Sequence, residues 1–234
     1  MNSEIKSEDP GIPIKKIIRI IITIILLFSA TFIIAGRIDW WQGWLLYGIT
    51  MSIGTILAVV IRKRHPDLIK ERLSDHENIK PWDRIIIKIF FSLTVISIIV
   101  GAIDSGRFRW SQMPVALTLT GAVILLIAYI IGAWATYENK FFSLHVRIQD
   151  DRGHRVCTKG PYRYVRHPGY LSGILMWISY PLILGSWWAS IPDSLLIILF
   201  IVRTILEDRT LQEELEGYKE YTKMTPYRLF PGIW

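Results

Sequence analysis

Apolar residues gather along this chain in long blocks separated by charged stretches. Windows at 17–35, 43–61, 85–103, 113–137 and 169–188 come close to the roughly 20 mostly apolar residues that carry a helix across a bilayer. A sixth window, 194–206, is shorter and ends in charge. The pattern predicts an all-α, polytopic membrane protein with about six transmembrane helices. The first run is longer than a signal h-region and no convincing cleavage site follows it, so it reads as a span. Residues 1–14, with Pro10 and Pro13 among polar neighbours, read as a flexible tail.

The polar stretches differ in kind. In "RKRHPDLIKERLSDHENIKPWDR", Leu68, Ile69 and Leu73 among charges suggest a short amphipathic helix on the membrane surface. Residues 138–167 lack helical periodicity, and a loop of that length in a compact protein is usually functional or disordered. Next, "GILMWISYPLILGSWWASIPDSLLIILFIV" reads as a helical hairpin turning near Pro192, its second arm running on through the charged "RTILEDRTLQEELEGYKEY". The chain therefore divides into 1–137, a tail and four transmembrane helices, and 138–234, a loop, a hairpin and a C-terminal helix. The tripeptide Arg-His-Pro occurs at 64–66 and 166–168, but the flanks differ and the recurrence reads as coincidence.

Composition sharpens the picture at three points. The formal net charge of +7 would suit nucleic acid, yet the basic residues sit in alternate loops. Lys15, Lys16 and Arg19 lie at the start, Arg62, Lys63, Arg64, Lys70, Arg72, Lys80 and Arg84 after the second window, and Lys140, Arg147, Arg152, Arg155, Lys159, Arg163 and Arg166 after the fourth. The other loops hold only Arg37, Arg107 and Arg109. That is the positive-inside pattern, which puts both termini and both long loops in the cytoplasm and leaves no call for a nucleic-acid partner. Tryptophans near segment ends (Trp40, Trp41, Trp44, Trp82, Trp110, Trp187, Trp188) fit interfacial belts, with a core role equally open. The single cysteine, Cys157, allows no internal disulfide, and His65, His76, His145, His154 and His167 show no metal-ligand spacing.

No G-x-G fingerprint occurs, so chemistry must come from the hairpin and its rim. Two groups stand out. In "GPYRYVRHPGY", Pro168 suits the first turn of the fifth span, where the N–H groups of Gly169, Tyr170 and Leu171 would meet an anion such as a carboxylate. Near the inner end of the sixth span, Arg203 and Glu207 are four apart, on one helical face, with Asp208 beside them. Each feature alone has a plain reading. Arg163 and Arg166 would be membrane anchors, Arg203 and Glu207 a structural ion pair, and Tyr162, Tyr164 and Tyr170 interfacial rings. Their meeting on adjacent arms of one hairpin points to a site instead.

"GHRVCTKGPYRYVRHPGY", followed after the hairpin by "RTILEDRTLQEELEGYKEYTKMTPYRLFP", resembles the isoprenylcysteine carboxyl methyltransferase family of integral membrane methyltransferases, whose C-terminal core phospholipid methyltransferases share. The motifs fall at 160–162, 166–170, 203–208, 218–221 and 228–231. The resemblance implies S-adenosyl-L-methionine as cofactor, held at the cytoplasmic face by His154, Val156, Cys157, Tyr162, His167, Pro168, Gly169, Tyr170 and Glu207. Val156 and Cys157 replace the Leu-Val of eukaryotic members, Asp208 is the second acidic position, and a further contact falls near 147–149. Arg203 matches the substrate-facing arginine. Glu207 suits the cofactor's ammonium, the helix start at 167–170 its carboxylate, and the faces of Tyr162 or Tyr170 its adenine or sulfonium. The expected reaction is methyl displacement onto a lipophilic small-molecule or prenylated acceptor, with Arg203, Glu207 and His167 the catalytic candidates: Arg203 to orient a carboxylate, Glu207 or His167 to take a proton from an amine. The alternatives are a phospholipid-type N-methyltransferase, an NADPH-dependent membrane reductase of the sterol reductase type, and a non-enzymatic scaffold.

Overall fold

A computed structural model describes residues 14–74 and 78–234. The expected tail, Ile14 apart, lies outside these residues, as does His76. Among these residues eight α-helices follow in order: α1 (Ile14–Ala35), α2 (Trp41–Arg64), α3 (Pro66–Leu73), α4 (Pro81–Gly101), α5 (Val115–Glu138), α6 (Pro168–Leu184), α7 (Ser190–Glu214) and α8 (Tyr218–Met224). A π-helical turn, Ala102–Phe108, prolongs α4, and there is no strand among the described residues. Four helices, α1, α2, α4 with its extension and α5, are long and apolar enough to cross a membrane. Their outward faces carry Ile21, Ile25, Leu26, Ile33, Ile56, Ile85, Phe91, Val123 and Ile130, all exposed. A continuous apolar exterior of this kind belongs in hydrocarbon, and the chain is an integral membrane protein.

Helix boundaries follow from local chemistry. Arg62, Lys63 and Arg64 close α2, where cations complement the helix dipole. Pro66 then forces His65 out of the helical region, to φ −136°, and itself takes the first turn of α3. His167 and Pro168 repeat the device at the start of α6, with φ −125° at His167. The two Arg-His-Pro tripeptides therefore do the same backbone job, and their recurrence is not coincidence at that level. The predicted surface helix is α3, with Leu68 buried. The 138–167 stretch is irregular apart from 3₁₀ turns at Asp150–Arg152 and Gly160–Arg163.

One expectation is corrected, and at Trp40 the choice between belt and core is decided. The hairpin turns at 185–189, earlier than Pro192. Gly185 adopts φ 67°, its N–H donating to Leu182 and that of Ser186 to the Pro181 carbonyl, a Schellman stop. Pro192 sits in the first turn of α7, where its missing N–H costs nothing. Trp40 is no interfacial belt residue; it is 1% exposed, packed against Phe32.

Small residues set the distance between α5 and α6. A Cβ on Gly121 would lie 2.7 Å from the Leu182 Cβ and 3.0 Å from the Ser179 carbonyl oxygen, and Ser172 Oγ donates to the Ala128 carbonyl at 2.7 Å. On the other side of α6, the Phe200 ring of α7 occupies the space a Cβ on Gly173 would need. This packing gathers the C-terminal end of α5, the start of α6 and the lower half of α7 at one end of the bundle. Because backbone cannot retreat as a side chain can, Gly121→Ala is expected to lower unfolding stability in detergent by about 1–3 kcal/mol. Gly54→Ala, with nothing within 4 Å, is expected to cause no loss; equal losses in the two variants would contradict the packing argument.

Candidate functional site

That end of the bundle is organised by a buried carboxylate. Asp208 on α7 receives Nε and Nη2 of Arg166 at 2.8 and 3.0 Å, Nε of Arg228 at 2.9 Å and the Tyr218 hydroxyl at 3.1 Å. His167 Nε2 lies 3.1 Å from the same group. Arg166 also donates from Nη1 to the carbonyls of Thr225 and Pro226, while the backbone N–H groups of Arg166 and His167 donate to Tyr227 and Arg228. Tyr221 donates to the Tyr162 carbonyl at 2.6 Å. The motifs at 166–170, 218–221 and 228–231 thus form one knot. Burial alone would raise the Asp208 pKa, but hydrogen bonds from His167 and Arg166 hold it well below the usual carboxylate range. Reading Arg166 as a membrane anchor is therefore overturned, since it is buried; Arg163 is exposed.

Beside this knot lies a cavity of about 910 Å³. His154, Val156, Cys157, Tyr162, His167, Pro168, Gly169, Tyr170, Arg203 and Glu207, scattered over 54 positions of sequence, all line it. Tyr170 donates from its hydroxyl to Glu207, which forms no ion pair among the described residues. Tyr162 is buried, its hydroxyl accepting from Asn139 Nδ2 at 3.2 Å; burial pushes its pKa up, so it is a neutral phenol. Burial likewise raises the Cys157 thiol, whose Sγ approaches the Glu138 carbonyl. His154 rests 4.7 Å from the Phe141 ring and its Nδ1 accepts from the Gln149 N–H. Burial pushes its pKa down to about 4, with Asp150 opposing and Arg147 and Arg152 adding to the effect.

Three site expectations change. Arg203 does not pair with Glu207: its Nε donates to Asp83 of α4 at 2.7 Å and its Nη2 to the Leu144 carbonyl at 2.7 Å. Asp83, wholly buried, also accepts the Val146 N–H at 2.9 Å, so it joins α4, α7 and the loop. Secondly, the start of α6 offers little to an anion, because the N–H groups of Tyr170 and Leu171 donate to the His167 carbonyl and only that of Gly169 stays out of such bonds. Thirdly, His167 Nε2 faces Asp208, which leaves it poorly placed to take a proton in the cavity. Sequence reasoning also missed the Arg147 clamp, bidentate to Glu71 and joined to Asp151. The vague contact expected near 147–149 was its only trace, and nothing in "KPWDR" singled out Asp83.

The cavity changes character along its length. Its lining includes Glu207, Tyr162, His154 and Gln149 and also the apolar Leu57 and Ala58 of α2, Phe90 of α4, Met176 of α6 and Leu199 of α7. From Glu207 to Leu199 is eight residues along α7, about 12 Å at the helical rise. A polar group and an apolar chain fit the one space end to end.

The family model for phospholipid methyltransferase matches residues 110–216, and no curated protein matches the chain. The match takes in the motifs at 160–162, 166–170 and 203–208 and points to a membrane methyltransferase; it is coarser than the isoprenylcysteine resemblance. It ends before Tyr218 and Arg228 and does not reach Asp83.

The His154 environment predicts a pH dependence. The folded imidazole stays neutral to about pH 4, whereas in the unfolded chain it takes a proton near 6.5. Its contribution to stability is therefore complete above pH 6.5 and declines as pH falls toward 4. Melting temperatures in detergent between those limits should fall less steeply for His154→Gln than for the wild type. Parallel slopes would contradict the assignment.

Proposed function

We propose that the protein transfers a methyl group from S-adenosyl-L-methionine to a lipophilic acceptor, with the cofactor held at the cytoplasmic end of the cavity and the acceptor's apolar chain in the membrane-depth end. The observation that carries this is one cavity lined by a carboxylate, Glu207, with no ion pair among the described residues, and by apolar residues about 12 Å along α7 from it. The donor set fits the cofactor. Glu207 offers a charge-assisted partner for an ammonium, and the rings of Tyr162 and Tyr170 offer faces for adenine or a sulfonium. When bound, the cofactor supplies a methyl group on positive sulfur, which an acceptor lone pair displaces directly.

The chain's own part is to orient the acceptor and keep water out. Arg203 is held from two sides by Asp83 and Leu144, and its Nη1 makes no hydrogen bond among the described residues. A fixed guanidinium with one free donor at the cavity wall suits an acceptor carboxylate, as in a prenylated cysteine, and a carboxylate needs no general base. An amine acceptor, as in a phospholipid headgroup, is the second reading and is favoured by the family match. It would need Glu207 as proton acceptor, since His167 is engaged by Asp208. No observation favours the reductase or the scaffold.

On this reading Glu207→Gln weakens binding of S-adenosylhomocysteine by about 1.5–3 kcal/mol, roughly ten- to a hundredfold. Titration calorimetry on the detergent-purified protein measures it, and unchanged affinity in a folded variant would overturn the reading. Turnover with a prenylated cysteine analogue against that with phosphatidylethanolamine separates the two acceptors.

The loop charges support six spans, with α6 and α7 as the fifth and sixth and both termini in the cytoplasm. In a Cys157→Ala background, a cysteine replacing exposed Gln112 should react with an impermeant maleimide from outside the cell, and one replacing exposed Lys159 should not. The reverse labelling would invert the topology.

A further inference from the structure

Three arginines lining the cavity are neutralised within the chain: Arg147 by Glu71 and Asp151, Arg166 by Asp208 and Arg203 by Asp83. Arg72, on α3, also lines the cavity and is different. It is half-buried, and no carboxylate pairs with it among the described residues. Its Nη2 donates to the Phe142 carbonyl at 3.2 Å and its guanidinium lies 5.5 Å from the Phe142 ring centre. Among the described residues, its Nε is buried with no acceptor and its Nη1 makes no hydrogen bond. Burial lowers its pKa and nothing opposes that. A cation half withdrawn from water carries a cost that no counter-charge among the described residues offsets.

Arg72 is near the site already described. The Phe142 ring it lies on is the ring that packs on Gly169, where a Cβ would come within 2.4 Å of it. Among the described residues, two half-buried charges on its wall have no ion partner, an anion at Glu207 on α7 and a cation at Arg72 on α3; Arg155, which also lines it, is exposed to solvent.

We propose that Arg72 is the oxyanion-binding residue of this cavity, receiving a carboxylate or phosphate group of a bound ligand. The guanidinium presents planar donors that match such a group, and Nη1 and Nε are the two left without acceptors. Within the methyltransferase reading on which this rests, the oxyanion is either the cofactor's own carboxylate, its ammonium being on Glu207, or the anionic group of an acceptor. Residue 72 lies outside the segment the family model matches, so the match does not assign it.

The test uses the full chain in detergent with three probes: S-adenosylhomocysteine, its decarboxylated analogue and dodecyl phosphate. Arg72→Met should leave the melting temperature of the ligand-free protein unchanged or raised, since it removes an unmatched buried charge, and should weaken at least one anionic probe tenfold or more. Weakened S-adenosylhomocysteine with an unaffected decarboxylated analogue assigns the cofactor carboxylate; weakened dodecyl phosphate alone assigns the acceptor's anion. Arg72→Gln supplies the same comparison if the methionine variant does not fold. Affinities for both anions within twofold of wild type would overturn the proposal. So would a lowered ligand-free melting temperature with parallel loss of all three probes, which marks a structural role. If the wild type binds S-adenosylhomocysteine and Arg72 makes no difference to either anion, the methyltransferase reading stands and this proposal falls. If it binds only dodecyl phosphate, and does so through Arg72, the oxyanion site stands and the methyl-donor reading falls. If it binds neither probe, both fall.

Discussion

The end of the bundle that holds the cavity's polar residues depends on the buried Asp208 carboxylate. Without it, Arg166 would be a cation inside the fold with only carbonyls around it, and Arg228, Tyr218 and His167 would lose their common partner. Removing one member of a buried ion pair typically costs about 3–5 kcal/mol, a large part of a domain's net stability. Through Arg166 and His167 this one group ties the C-terminal segment to the start of α6, and so fixes where Pro168 begins the helix and where Tyr170 points.

Glu207 and Asp208 show how one helix serves two purposes. Successive residues of an α-helix point about 100° apart, so adjacent carboxylates on α7 face different surroundings. Asp208 faces the knot, where several donors surround it. Glu207 faces the cavity, where among the described residues Tyr170 donates to it. The same division runs through the arginines: those that hold the fold have carboxylates, whereas Arg72 and the free Nη1 of Arg203 are left facing the cavity. The knot is what allows unmatched groups to be kept nearby, because its own stability does not depend on them.

This also explains why so polar and proline-rich a stretch as 160–170 adjoins an apolar helix. Pro161 and Pro168 limit the backbone, Tyr162 and Arg166 are drawn inward by the C-terminal segment, and Arg163 and Tyr164 remain outside. The stretch closes the polar end of a cavity whose other end lies among Leu57, Phe90, Met176 and Leu199.

What the sequence by itself determined is whatever depends on neighbours along the chain. Apolar runs of membrane-spanning length mark the helices, the Arg-His-Pro tripeptides mark two helix starts, and the charged tail of α7 marks a helix running past the apolar region. Adjacent arms of a hairpin bring 166–170 near 203–208, but His154, Val156 and Cys157 joined that set only through the family resemblance; all ten line the cavity. The tertiary structure alone decided which charges meet. Arg203 chose Asp83, 120 residues away, over Glu207 one turn along, because Asp83 is held in place by the Val146 N–H and reaches the guanidinium from a neighbouring helix. Arg166 and Arg163 are alike in sequence, yet one is buried and the other exposed, because only Arg166 faces Asp208. Ion pairing acts through space, over a few ångströms, and the order of residues along a chain does not record which groups packing will bring within that range.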